Sequence, residues 1–186
     1  MKLLLHLCCG PCTTYPVTTL RSQGIKPQGF FHNPNIHPFR EFKKRLGALT
    51  TVAAKMELPI HIDKEYGLTK YMRQVVFNEE KRCLHCYRMR LEATVEHAKK
   101  VGADAFSTTL LYSRYQQHNL IRRTAEELAA EHGIPFYYED FRDGWQTGID
   151  TAIEMDIYRQ PYCGCIYSEQ ERYDKQHRRP VPPTSG

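Results

Sequence analysis

The chain has 186 residues, 41% hydrophobic and 25% charged, with a net charge of +5. That length suits one domain with one core, and no run approaches the roughly 18 apolar residues of a membrane span. The charge excess is mild, and the N-terminal apolar run broken by His6 is too short and too polar for a secretory signal, so a cytoplasmic protein is expected.

Residues 2–7 read as a short strand, followed at once by Cys8-Cys9-Gly10-Pro11-Cys12. A helix is predicted over 11–21, proline being tolerated in a first turn. Residues 29–32 read as a second strand, ended by Asn33-Pro34-Asn35. Phe39, Phe42, Leu46, Leu49, Val52 and Met56 then recur at three and four residues, which marks one helix face. A third strand is predicted at 59–62. A helical stretch over 67–77 leads to Cys83-Leu84-His85-Cys86. Leu84, Tyr87, Leu91, Val95 and Ala98 define a helix closed by Gly102. A fourth strand is predicted at 105–110, a helix through Leu120, Ile121, Thr124 and Leu128 ends at Gly133, and 135–138 reads as a fifth strand.

This alternation predicts a single α/β domain over residues 1–177, a doubly wound parallel sheet of about five strands with helical additions. Residues 178–186, rich in proline and small polar residues, are expected to be a disordered tail. In such sheets ligands bind beyond the carboxyl ends of the strands, where strand order reverses. The first cysteine group follows the first strand, and Thr108-Thr109 ends the fourth. If those strands are neighbours, both segments line one crevice.

The seven cysteines fall into three groups: Cys8, Cys9 and Cys12; Cys83 and Cys86; Cys163 and Cys165. In a reducing compartment such grouping points to metal ligands or catalytic thiols. Cys9-Gly10-Pro11-Cys12 has the letters of a thioredoxin dithiol, and Cys9 meets a helix start, where a thiolate is stabilised. That reading leaves five cysteines without a task, and the sole tryptophan, Trp145, is far from the motif. Cys8, Cys9, Cys83 and Cys86 together supply four thiolates, enough for a structural zinc or a [4Fe–4S] cluster. Spacing does not separate the two. Cys12, Cys163 and Cys165 are surplus to a zinc staple, whereas a redox centre has uses for a second metal or an electron-passing dithiol. Gly164 allows the tight bend of a CxC pair. His6 reads as a packing residue, and no HExxH or Gly-rich phosphate motif occurs. Arg82, Arg88 and Arg90 are candidate phosphate contacts, while Arg40, Lys43, Lys44 and Arg45 read as a solvated helix face.

Six linked motifs go further: "HLCCGPC" at 6–12, "FHNPNIHP" at 31–38, "RCLHCYRMRLE" at 82–92, "FSTTLLYSRYQ" at 106–116, "YYEDFRDGW" at 137–145 and "IYRQPYCGCIYS" at 157–168. This ordered set resembles the QueH family of epoxyqueuosine reductases from about residue 3 to 173. The resemblance implies reduction of the epoxide of epoxyqueuosine to queuosine at the tRNA wobble position, by an iron–sulfur enzyme that needs no cobalamin. It implies a HUP-like fold whose first loop carries cysteines in place of a phosphate-binding loop. It also assigns Cys8, Cys9, Cys83 and Cys86 to a [4Fe–4S] cluster and Cys163 and Cys165 to a redox-active pair. Cys12 is placed beside the cluster, on a second iron where one is bound. The implied partners are the tRNA anticodon loop, with its wobble base unstacked, and an electron donor such as ferredoxin. Tyr112, Tyr115, Asp140 and His85 are unranked candidate proton donors. Two other classes stand beside this one: a zinc-stabilised RNA-binding module and a thiol–disulfide oxidoreductase.

Overall fold

The first strand, β1 (Lys2–His6), lies inside a parallel sheet, between β2 (Lys26–Phe31) and β4 (Ala105–Thr108), with β3 (Ile60–Ile62) beyond β2. This computed structural model describes residues 1–177. Leu3, Leu4 and Leu5 are all buried, the unbroken apolar run that a strand covered on both faces requires. The register sets His6 opposite Phe30 on one side and Thr108 on the other.

Helix α1 (Pro11–Ser22) carries the chain from β1 to β2, and α2 (Phe39–Lys55) carries it to β3. The path then reverses through α3 (Leu68–Val75) and α4 (Arg82–Lys100) to β4. Right-handed crossovers in opposite directions put α1 and α2 on one face and α4 on the other. Helix α5 (His118–His132) packs on α4, and α6 (Trp145–Glu154) on α1. A last helix, α7 (Ile166–Tyr173), follows Cys165. The strand order therefore switches between β1 and β4, so the loops after these two strands share one crevice, as their sequence positions suggested.

Two expectations need adjustment. The fifth strand is in the predicted place but shrinks to one parallel bridge, Phe106 to Phe136. Pro135 brings no N–H to a ladder, and only its carbonyl and the Tyr137 amide pair with Phe106, at 3.0 and 2.8 Å. The fourth strand stops at Thr108, where a 3-10 turn over Thr109–Tyr112 takes over. Helices α6 and α7 contribute little to the core: α6 buries only Gly148 and Ala152, and α7 buries no residue. The expected tail at 178–186 lies outside the described residues. No described helix is long and apolar enough to cross a membrane.

Candidate metal centre

The loop after β1 brings three thiols together. The Sγ atoms of Cys8, Cys9 and Cys12 lie within 4.8 Å of one another, and those of Cys8 and Cys9 are 3.7 Å apart. Gly10 permits this because the chain passes α2 closely. A Cβ at that position would stand 2.9 Å from the Ala48 carbonyl oxygen. Thr109, in the loop after β4, closes the crevice. Its hydroxyl donates to Cys8 Sγ at 3.3 Å and accepts from the Cys8 amide at 3.1 Å. Gln160 reaches in from the C-terminal segment, its Nε2 2.9 Å from Cys9 Sγ and 3.5 Å from Cys12 Sγ.

Two of the other four cysteines meet beside α4. Cys86 and Cys165 are buried in one cluster with Tyr71 and Val75. Cys165 also caps α7, accepting from the Ser168 amide at 3.4 Å. Cys163 is exposed and accepts from Gln116 Nε2 at 3.1 Å. Gln116 is in turn fixed by the Tyr87 hydroxyl, which donates to its Oε1 at 2.7 Å. Arg45 anchors the segment, donating to the carbonyls of Cys163 and Tyr162 at 2.7 and 2.9 Å while its Nε pairs with Glu41 at 2.7 Å. Gly164 has a φ of 151° and lies against Asn35 and Arg45, a backbone state that only glycine adopts readily.

Electrostatics treat the sulfurs as acceptors. Hydrogen bonds from the Cys12 and Cys9 thiols hold Cys8 well below the ordinary thiol range, helped by the Arg90 charge and the Thr109 hydroxyl. Sharing that one anion pushes Cys12 well above the range, and burial raises Cys9. Burial drives Cys86 up to about 12, an effect that Arg90 opposes. His6 is no ligand. Burial lowers it to about 3, and its neutral ring is held by the Thr108 hydroxyl at 2.9 Å and the His32 carbonyl at 3.3 Å.

A thiolate-bound metal centre fits this environment. Gln160, Thr109, Gln116 and Arg90 all direct hydrogen-bond donors at sulfur, as anionic sulfur requires. Arg90 donates to Cys86 Sγ at 3.7 Å. Among the described residues, the group of thiols close enough to share one metal ion is Cys8, Cys9 and Cys12, so Cys12 stands with Cys8 and Cys9.

The basic residues call for correction. Arg45, Arg82 and Arg90 are buried and do not present a face to phosphate. Arg82 pairs with Glu171, and Arg90 follows Cys86 by four residues, on the buried face of α4. Arg88 is partly exposed and pairs with Glu131 at 2.7 Å. Gln160 and Gln116 were not foreseen as parts of the site.

An apolar groove of about 800 Å³ opens beside the CxC segment, lined by His37, Tyr66, Met72, Arg73, Phe77 and Ile166 among others. The His37 amide donates to the Gly164 carbonyl at 2.8 Å, so the groove wall and the cysteine segment are one structure. Phe77 stands 93% exposed at its mouth, with Lys70 and Arg73 exposed on α3.

Comparisons with known proteins agree on a single family. A model of the family "Epoxyqueuosine reductase QueH" matches residues 3–171. A protein of that name from Dehalococcoides mccartyi is 39% identical, over 94% of this chain and 96% of its own length. Another, from Thermotoga maritima, is 34% identical over 92% of both chains. Among solved structures, a predicted subunit of tRNA methyltransferase from Methanocaldococcus jannaschii superposes with a TM-score of 0.56. It is 14% identical and covers 83% of this chain and 75% of its own, a likeness of fold.

Proposed function

The chain belongs to the epoxyqueuosine reductase QueH family, and on that premise we propose that it reduces epoxyqueuosine to queuosine on tRNA in the cytoplasm, using an iron–sulfur centre held by its own cysteines. The observation that supports this reading is the close group of Cys8, Cys9 and Cys12 thiols in the loop after β1, at the switch point between β1 and β4. Removing the epoxide oxygen as water breaks two C–O bonds, forms a C=C bond, and consumes two electrons and two protons. A bound iron–sulfur centre supplies single electrons, and iron with an open position supplies Lewis acidity. A one-electron donor such as ferredoxin, acting twice, balances the reaction.

In this proposal Cys8, Cys9, Cys83 and Cys86 ligate a [4Fe–4S] cluster, Cys12 stands beside it for a second iron, and Cys163 and Cys165 form a redox pair. The mutual approach of the Cys8, Cys9 and Cys12 sulfurs favours a second partition of the same residues, in which Cys12 joins Cys8 and Cys9 as a ligand and the other four cysteines form a separate set. Thr109, Gln160 and Gln116 orient sulfurs in either case.

Tyr112 is the best placed of the candidate proton donors. Burial and the nearby Cys12, Cys9 and Cys8 sulfurs raise its hydroxyl, which keeps its proton. Asp140 is held ionised by Arg142, Tyr115 is exposed, and His85 lies in a cleft with Arg88 and Glu92. The groove beside the CxC segment suits unstacked bases of an anticodon loop, which stack on aromatic rings while cations meet phosphate.

Iron and acid-labile sulfide on anaerobically purified protein test this reading, together with conversion of epoxyqueuosine in tRNA. About four irons and four sulfides per chain are expected, lost on Cys83→Ser. Loss on Cys12→Ser with retention on Cys83→Ser selects the second partition. Stoichiometric zinc without sulfide after anaerobic reconstitution sinks the reductase mechanism in favour of a zinc-stabilised RNA-binding module.

A further inference from the structure

Among the described residues three arginines are buried, Arg45, Arg82 and Arg90. The first two have carboxylate partners, Glu41 and Glu171. Arg90 has none within ion-pair distance among the described residues. It is 2% exposed, its Nε is buried without a hydrogen-bond partner, and its Nη1 lies 3.7 Å from Cys86 Sγ. A buried cation left uncompensated is costly by several kcal/mol, so a fold that keeps one supplies negative charge beside it. The group that Arg90 does touch is a sulfur, that of Cys86, one helical turn earlier.

Resting on the iron–sulfur reading above, we infer that Arg90 is a positioning residue and the fixed countercharge of the metal centre, holding a buried guanidinium against the Cys86 thiolate and raising the centre's reduction potential. The location supports this. Arg90 sits on the same face of α4 as Cys86, one turn further on, and so enters the site from the helix that supplies two of the ligands. Adding an electron makes a thiolate-ligated centre more negative by one charge. A buried cation at contact distance favours that state, and the low dielectric around it magnifies the effect.

The test is a reductive titration with dithionite, the electron source, followed by electron paramagnetic resonance on anaerobically reconstituted wild type, Arg90→Lys and Arg90→Met. Iron and sulfide per chain and far-ultraviolet circular dichroism are measured alongside. Arg90→Met should lower the equilibrium constant for reduction at least tenfold, about 59 mV for a one-electron couple. Arg90→Lys should keep iron, sulfide and potential near wild type. A folded Arg90→Met that fails to retain iron and sulfide while Arg90→Lys retains them also supports the inference. A folded, loaded Arg90→Met with the wild-type potential overturns it, as does loss of folding in both variants, which would make the guanidinium a structural element only. Wild-type protein that never acquires sulfide defeats the iron–sulfur reading itself, a result independent of either variant.

Discussion

Arg45 donates to the Cys163 carbonyl at 2.7 Å, so a cysteine near the end of the chain is positioned by a helix from its first third. The same guanidinium holds Glu41, whose other oxygen accepts from the Tyr158 hydroxyl at 2.6 Å. Arg45→Met strands a buried carboxylate and frees the 158–165 segment. It should cost about 3 kcal/mol of stability and reduce iron content, both measurable by urea unfolding and metal analysis. Unchanged iron would detach this network from the site.

Tyr112 packs against Trp145 and Tyr15, with ring centroids 5.2 and 6.3 Å apart, and donates to the Trp145 carbonyl at 2.9 Å. Tyr112→Phe should retain iron and sulfide and lower kcat roughly a hundredfold, the usual scale for a lost proton donor. A variant with wild-type kcat hands the role to another group.

Acid should weaken the fold through its buried histidines. Unfolded His6 takes up a proton near 6.5 and folded His6 near 3, so the unfolded chain binds more protons between those values. The contribution is complete above about 6.5 and is lost as pH falls toward 3, at about 1.4 kcal/mol per pH unit. Burial also lowers His37, to about 4, so it acts in the same direction. Urea midpoints between pH 7 and 5 should fall accordingly, and His6→Gln should flatten that slope. An unaltered slope assigns the acid sensitivity elsewhere.

Phe77 carries a backbone φ of 64° and is held by no core contact comparable to its size, so its replacement should leave the melting temperature near wild type. Phe77→Ala should weaken binding of an anticodon stem-loop about tenfold, the cost of one lost base stack. Replacing Lys70 and Arg73 together should flatten the salt dependence of binding. Equal affinity in both variants takes this groove out of the RNA path.

Much of this architecture was legible in the sequence because it depends on local patterns. The apolar run of β1, the period of α2 and the cysteine groups each announced an element, and the sharing of one crevice by the first cysteine group and Thr108-Thr109 followed from strand order. Gln160, Gln116 and Arg45 were not legible. Each is a single polar residue whose role is created by a partner more than forty positions away. Arg90 is different: its spacing of four from Cys86 already placed it on the cysteine face of the helix, and its charge alone suggested the surface. The short fifth strand shows the opposite error, an apolar segment whose proline withholds the donor a ladder needs.

The sheet order has a consequence for how the protein is made. Synthesis delivers β1 before its neighbours, yet it lies inside the sheet, and its second edge stays open until β4 arrives about a hundred residues later. The three thiols behind β1 wait longer still, because Gln160 and the Cys163-Gly164-Cys165 segment follow about fifty residues after β4. Until then a nascent chain exposes the cysteine loop without its later partners. Loading of the proposed centre should therefore wait for residues 160–165, and a truncation before residue 160 should leave a sheet that does not acquire iron.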